Sequence, residues 1–85
     1  MSAGTTPQIT IGDAGAEDTS IIFDGNAQDY HVGLDDTNDT FEIGLGSTLG
    51  TTPYLNITST GLVGIGTTNP TTGLMLSGSN SLEGI

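Results

Sequence analysis

The sequence predicts an all-β protein, elongated and built from short strands, and three observations carry that expectation. Apolar residues alternate with polar or glycine residues in one short run after another, the period of a half-buried strand. The runs are separated by Gly, Asn, Asp and Pro, the residues that tight turns require. No stretch has the 3.6-residue periodicity and capping signals of an amphipathic helix; residues 13–19, the best candidate, are short and contain Gly15.

The strands read off in order. Ile9 and Ile11 alternate with Thr10 and Gly12, opening the series after Pro7. Residues 20–24 form a short continuous apolar run, closed by Asp24-Gly25-Asn26, which can adopt the left-handed conformations of a hairpin. Tyr30, Val32 and Leu34 share one face, with His31 and Gly33 opposite. A polar loop, residues 35–40, leads to Phe41, Ile43 and Leu45, with Glu42 and Gly44 on the other side. Leu55 and Ile57 follow Pro53, a residue tolerated at the start of a strand. Val63 and Ile65, then Leu74 and Leu76, complete the set.

Internal repetition organises the chain as one module spanning residues 1–85. Gly4-Thr5-Thr6-Pro7-Gln8-Ile9-Thr10-Ile11 recurs as Gly50-Thr51-Thr52-Pro53-Tyr54-Leu55-Asn56-Ile57, and a third, imperfect copy opens at Gly66-Thr67-Thr68-Asn69-Pro70. A second theme sets glycine between aliphatic residues, at Gly33, Gly44 and Gly64. Such glycines leave a strand face bare, so that another backbone can approach closely. A bulge or bend is the blander use of one such glycine, and three in the same setting favour close approach.

Composition narrows the functional classes. The chain has 85 residues with no Lys, no Arg and a formal charge of -10. Nucleic-acid binding depends on Lys and Arg contacts to phosphate, so it is excluded as a direct function. Anionic membrane surfaces are disfavoured by the same repulsion, and phosphate-handling enzymes lose their usual cations. Apolar residues make up only 33% of the chain and there is no Cys, so neither a thick core nor disulfides can stabilise it. Evenly spread apolar runs then point to self-association as the source of the missing burial. The amino terminus shows no basic start and no apolar stretch, so no export signal is read there.

Catalysis finds little support. His31 is the one histidine and lies opposite Tyr30 and Val32, where it is expected to face solvent. No Gly-x-Ser-x-Gly elbow accompanies it, so a Ser-His-Asp arrangement has no framework. A carboxylate pair for glycoside hydrolysis would need a sugar groove, and four aromatic residues without Trp do not build one. The protein is expected not to be an enzyme and to need no cofactor. Two loops offer oxygen ligands for Ca²⁺, Asp24, Asn26 and Asp29 in one and Asp35, Asp36, Asn38 and Asp39 in the other; neither has EF-hand spacing, and the second is the candidate site. Asp and Asn in a loop are more often simple turn formers.

Two segments carry a family resemblance. Residues 21–49, from Ile21-Ile22-Phe23-Asp24-Gly25-Asn26 through Tyr30-His31-Val32-Gly33-Leu34 to Ile43-Gly44-Leu45-Gly46, resemble a segment of tail-fibre-like structural proteins of bacteriophages, marine ones especially. Leu62-Val63-Gly64-Ile65-Gly66-Thr67-Thr68-Asn69-Pro70, followed by an aliphatic run, is similar to a second phage-fibre motif. The resemblance implies an intertwined homotrimeric β-fibre or β-prism, located in the virion, that links particle components or attaches to a host surface. Its implied partners are sister chains and other virion proteins. A capsid decoration or cement protein, and a subunit of an extracellular filament or adhesin, are the alternatives. The chain departs from the fibre pattern in having no large receptor-binding tip and no chaperone-like domain.

Overall fold

The computed structural model describes residues 4–78, and it is all-β. Six strands form a single open sheet in sequence order: β1 (Thr19–Asp24), β2 (Asp29–Asp35), β3 (Thr40–Leu45), β4 (Pro53–Ile57), β5 (Val63–Ile65) and β6 (Leu74–Leu76). The first four pairings are antiparallel, and β6 runs parallel to β5 after the connection 66–73. Each sequence run from Ile21 onward becomes a strand. The first does not: residues 7–11 lie outside the sheet, and Ile9 and Ile11 are 71% and 48% exposed.

Turn chemistry sets the register. The β1–β2 loop closes between paired Asp24 and Asp29, and the Gly25 amide donates to Asp29 Oδ1 at 3.0 Å. In the β2–β3 turn, Asp35 Oδ1 accepts from the Thr37 amide and Asp39 takes a left-handed φ of 55°. Between β3 and β4 the register shifts at Ile43/Gly44, so Tyr54 is the extra residue of a bulge.

The registers align most of the strands' apolar residues in rows across one side of the sheet, Ile22 and Met75 being the exceptions. One row runs Ile21, Val32, Ile43, Leu55, Ile65, Leu76. A second runs Leu34, Phe41, Ile57, Val63, Leu74, and a shorter one joins Phe23, Tyr30 and Leu45. The opposite side carries Ser20, Gly33, Glu42, Asn56, Gly64 and Met75 in one row and Ile22, His31 and Gly44 in the next.

The covered side is the polar one. Loop residues 46–53 and 66–70 turn back over it, and among the described residues the buried apolar side chains are Leu49 and Pro70, one in each loop. A domain ordinarily needs two packed layers, and here a sheet has one layer plus loops. The accessible surface is 5978 Å² for 8.6 kDa, against roughly 4,700 Å² for a typical folded monomer of that mass. The radius of gyration, 14.9 Å, likewise exceeds the roughly 12 Å expected for this length.

Candidate functional site

The apolar side of the sheet is the feature best suited to act on another molecule. Phe23 and Leu74 are each 59% exposed, and Ile21, Tyr30, Leu34, Phe41, Ile43, Ile57 and Ile65 range from 36% to 46%. At roughly 200 Å² for a large side chain, these residues present on the order of 800 Å² of continuous apolar-rich surface. That exceeds the largest patch of an ordinary monomer, about 300–600 Å². It equals about one partner's share of a standard protein interface. Carboxylates lie off this side: Asp24 and Asp29 close one hairpin end, and Asp35, Asp36 and Asp39 occupy the opposite end.

The polar side is held by one buried pair. His31 is 0% exposed and Glu42 1%, so the expectation of a solvent-facing His31 is overturned. The alternation placed it correctly opposite Tyr30 and Val32, but the loops cover that side and leave the other open. The Gly46 carbonyl lies 3.0 Å from His31 Nδ1 and can only accept, so Nδ1 carries a proton and donates. Nε2 meets Glu42 Oε2 at 2.7 Å, a separation that requires one proton between them. The same Oε2 accepts from the Gly50 amide at 2.9 Å. The pair thereby ties β2, β3 and the 46–50 loop together. With both nitrogens engaged below the surface, His31 is built to hold the fold.

Beside it lies a hollow of about 350 Å³ lined by Asn38, Thr40, Glu42, Asn56, Thr58, Asn69 and neighbouring loop residues. Asn56 is 2% exposed and its Nδ2 has no hydrogen-bond partner. Apart from Glu42, whose Oε2 is engaged by His31 and the Gly50 amide, the named lining side chains are hydroxyl and amide, suited to a hydrogen-bonding group. The opposed Glu42 and Asn56 were not singled out in sequence as lining a hollow. Their cross-strand pairing depends on the β3–β4 register, which the bulge at Tyr54 sets.

The three strand glycines also sit on the polar side. A Cβ on Gly44 would lie 2.6 Å from the Thr52 carbonyl and 2.8 Å from Pro53 Cα. One on Gly64 would meet the Thr67 carbonyl, and one on Gly33 the backbone of Thr19 and Ser20. The close approach expected at these positions is therefore real, but the approaching backbone belongs to the same chain.

Of the candidate Ca²⁺ ligands, Asp35 is 3% exposed. Its Oδ1 accepts from the Thr37 amide, and its Oδ2 from Asn38 Nδ2 at 3.1 Å. Asp36 is half-buried, while Asn38 and Asp39 are exposed. Among the described residues no group of three or more His, Cys, Asp or Glu side chains converges on a point where an ion could sit. Raising NaCl at neutral pH is expected to raise the melting temperature, because ten acidic residues have no Lys or Arg to offset them. Ca²⁺ at equal ionic strength should add a further increase only if the 35–39 loop binds it. A melting temperature indifferent to both would show the carboxylates to be too far apart to interact.

A scan of family models, a search of curated proteins and a search of solved structures each find no match to this chain.

Proposed function

We propose that this protein is a non-enzymatic structural subunit of a virion, a segment of a phage tail fibre or related fibre, that works by assembling with copies of itself into a trimer. The open apolar side of the sheet carries the self-assembly part of this reading. A single layer with on the order of 800 Å² of uncovered apolar-rich surface lacks the second layer that a stable domain uses, and sister sheets would supply it. The virion part rests on the likeness of residues 21–49 and 62–74 to fibre segments. A role in attachment to a host or in joining parts of the particle follows from that same likeness.

Sedimentation of the intact chain at low micromolar concentration is expected to show a trimer and no folded monomer. Ile43→Asp places a charge in the middle of the central apolar row at a side chain already 40% exposed. It should abolish association, seen as a shift to the monomer mass. An oligomer undisturbed by Ile43→Asp, or a wild-type monomer that melts cooperatively, would overturn the reading. Electron microscopy then separates a rod, expected for a fibre, from the compact particle of a capsid decoration protein or the open polymer of a filament.

A further inference from the structure

The repeat and the sheet disagree at one place. Residues 50–57 and 4–11 share the pattern Gly-Thr-Thr-Pro-x-aliphatic-x-Ile. The later copy supplies β4, a central strand whose Leu55 and Ile57 extend two apolar rows. The earlier copy has the same strand chemistry, and it belongs to none of the six strands. Its Ile9, the counterpart of Leu55, is 71% exposed, the highest value among the large apolar residues described.

We propose that residues 7–11 are a donor strand that adds to the β6 edge of a second copy of this chain. The geometry of β4 specifies how. Leu55 pairs with Ile65 and Ile57 with Val63, antiparallel to β5. β6 lies in parallel register with β5, Leu76 beside Ile65 and Leu74 beside Val63. An incoming 7–11 strand repeats the β4 arrangement one sheet further on, with Ile9 opposite Leu76 and Ile11 opposite Leu74. The two apolar rows then continue from one copy into the next.

The receiving edge is suited to this. β6 is the last strand of the sheet, Leu-Met-Leu, without the charge or proline that usually blunts an open edge. Main-chain bonds of an added strand would give affinity, and the alternate side chains would fix register. Delivery within one chain is strained: β6 stands five strand spacings from β1, about 24 Å, and residues 12–18 are all that joins 11 to β1. The contact is head-to-tail, so it generates a ring or an open series of copies. The proposal rests on the self-assembly reading above and adds an edge contact to the packing of apolar sides proposed there.

The chain has no cysteine, so engineered thiols report the contact without background. Ile9→Cys and Leu76→Cys are made as separate single variants, one lengthened by a tag, mixed, unfolded and refolded together, and oxidised. Residues bridge only when their Cα atoms come within about 7 Å. The mixed-size dimer should be the major covalent species, and Ile11→Cys with Leu74→Cys should behave alike. Ile9→Cys with Thr60→Cys, a turn position, serves as the control. If sedimentation shows an oligomer but the mixed dimers do not exceed the control, the donor-strand proposal is overturned and self-assembly stands. If the wild-type chain sediments as a monomer, both fall. A double Ile9→Cys/Leu76→Cys chain that closes only on itself also overturns the proposal, since the strand would then be delivered within one chain.

Discussion

His31→Ala is expected to lower stability by about 3–5 kcal/mol, the usual consequence of removing one partner of a buried His–carboxylate pair. Glu42, 1% exposed, would keep only the Gly50 amide on Oε2. A chain of this length has a total stability on the order of 4–13 kcal/mol, so the variant should lose a large share of its stability. Urea denaturation followed by far-ultraviolet circular dichroism measures it, and a loss below about 1 kcal/mol would show the pair to be dispensable. Glu42→Gln provides a graded comparison. Both hydrogen bonds arrive at the same oxygen, and a glutamine can place either its oxygen or its amide nitrogen there. It therefore keeps one of the two partners and should cost about 1–3 kcal/mol, the penalty of one buried unsatisfied group.

Gly44→Ala is expected to be the next most damaging change. The new methyl would stand 2.6 Å from the Thr52 carbonyl and 2.9 Å from His31 Nε2. The Thr52 carbonyl is itself held by the Leu45 amide at 3.1 Å, so it cannot withdraw without breaking that bond. Overpacking of this kind costs about 1–3 kcal/mol, and pressure on His31 would add to it. Gly73→Ala is the matched control: nothing lies within 4 Å of its added Cβ, and replacing such a glycine is neutral or stabilising by about 0.4–1 kcal/mol. Thermal melts of the two variants side by side decide the matter. Equal melting temperatures would mean that the strands and loops can separate freely on the polar side.

Much of this fold was legible in the sequence. A continuous apolar run located β1, and alternation located β2 to β6 and put Tyr30, Val32 and Leu34 on one side and His31 and Gly33 on the other. What it did not reveal was which side the chain covers for itself. The usual rule sends apolar residues inward, and it was applied to His31 with the wrong result. Burial here is decided by where loops 46–53 and 66–70 fall, and they fall at Gly44 and Gly64, while Gly33 is approached by the backbone of β1. A row of Gly33, Glu42, Asn56 and Gly64 leaves room for backbone, and buried polar groups are admissible once paired. Glycines confined to one side were the available signal: they mark the place where main chain, not side chain, packs. Ile9 and Ile11 failed as a strand for a different reason. Alternation shows that a segment can pair, but the pairing edge has to come from elsewhere.

The connectivity of the sheet has a consequence for the order of events. Every strand lies beside its neighbour in sequence, and the longest connection, residues 66–73, is short. Local pairings of this kind close small loops and form quickly, since little chain entropy is lost at each step. A nascent chain can therefore display its whole apolar side as soon as the sheet has formed. At that stage ten acidic residues without a Lys or Arg make two such chains repel each other on approach, which slows indiscriminate collapse of one apolar side onto another.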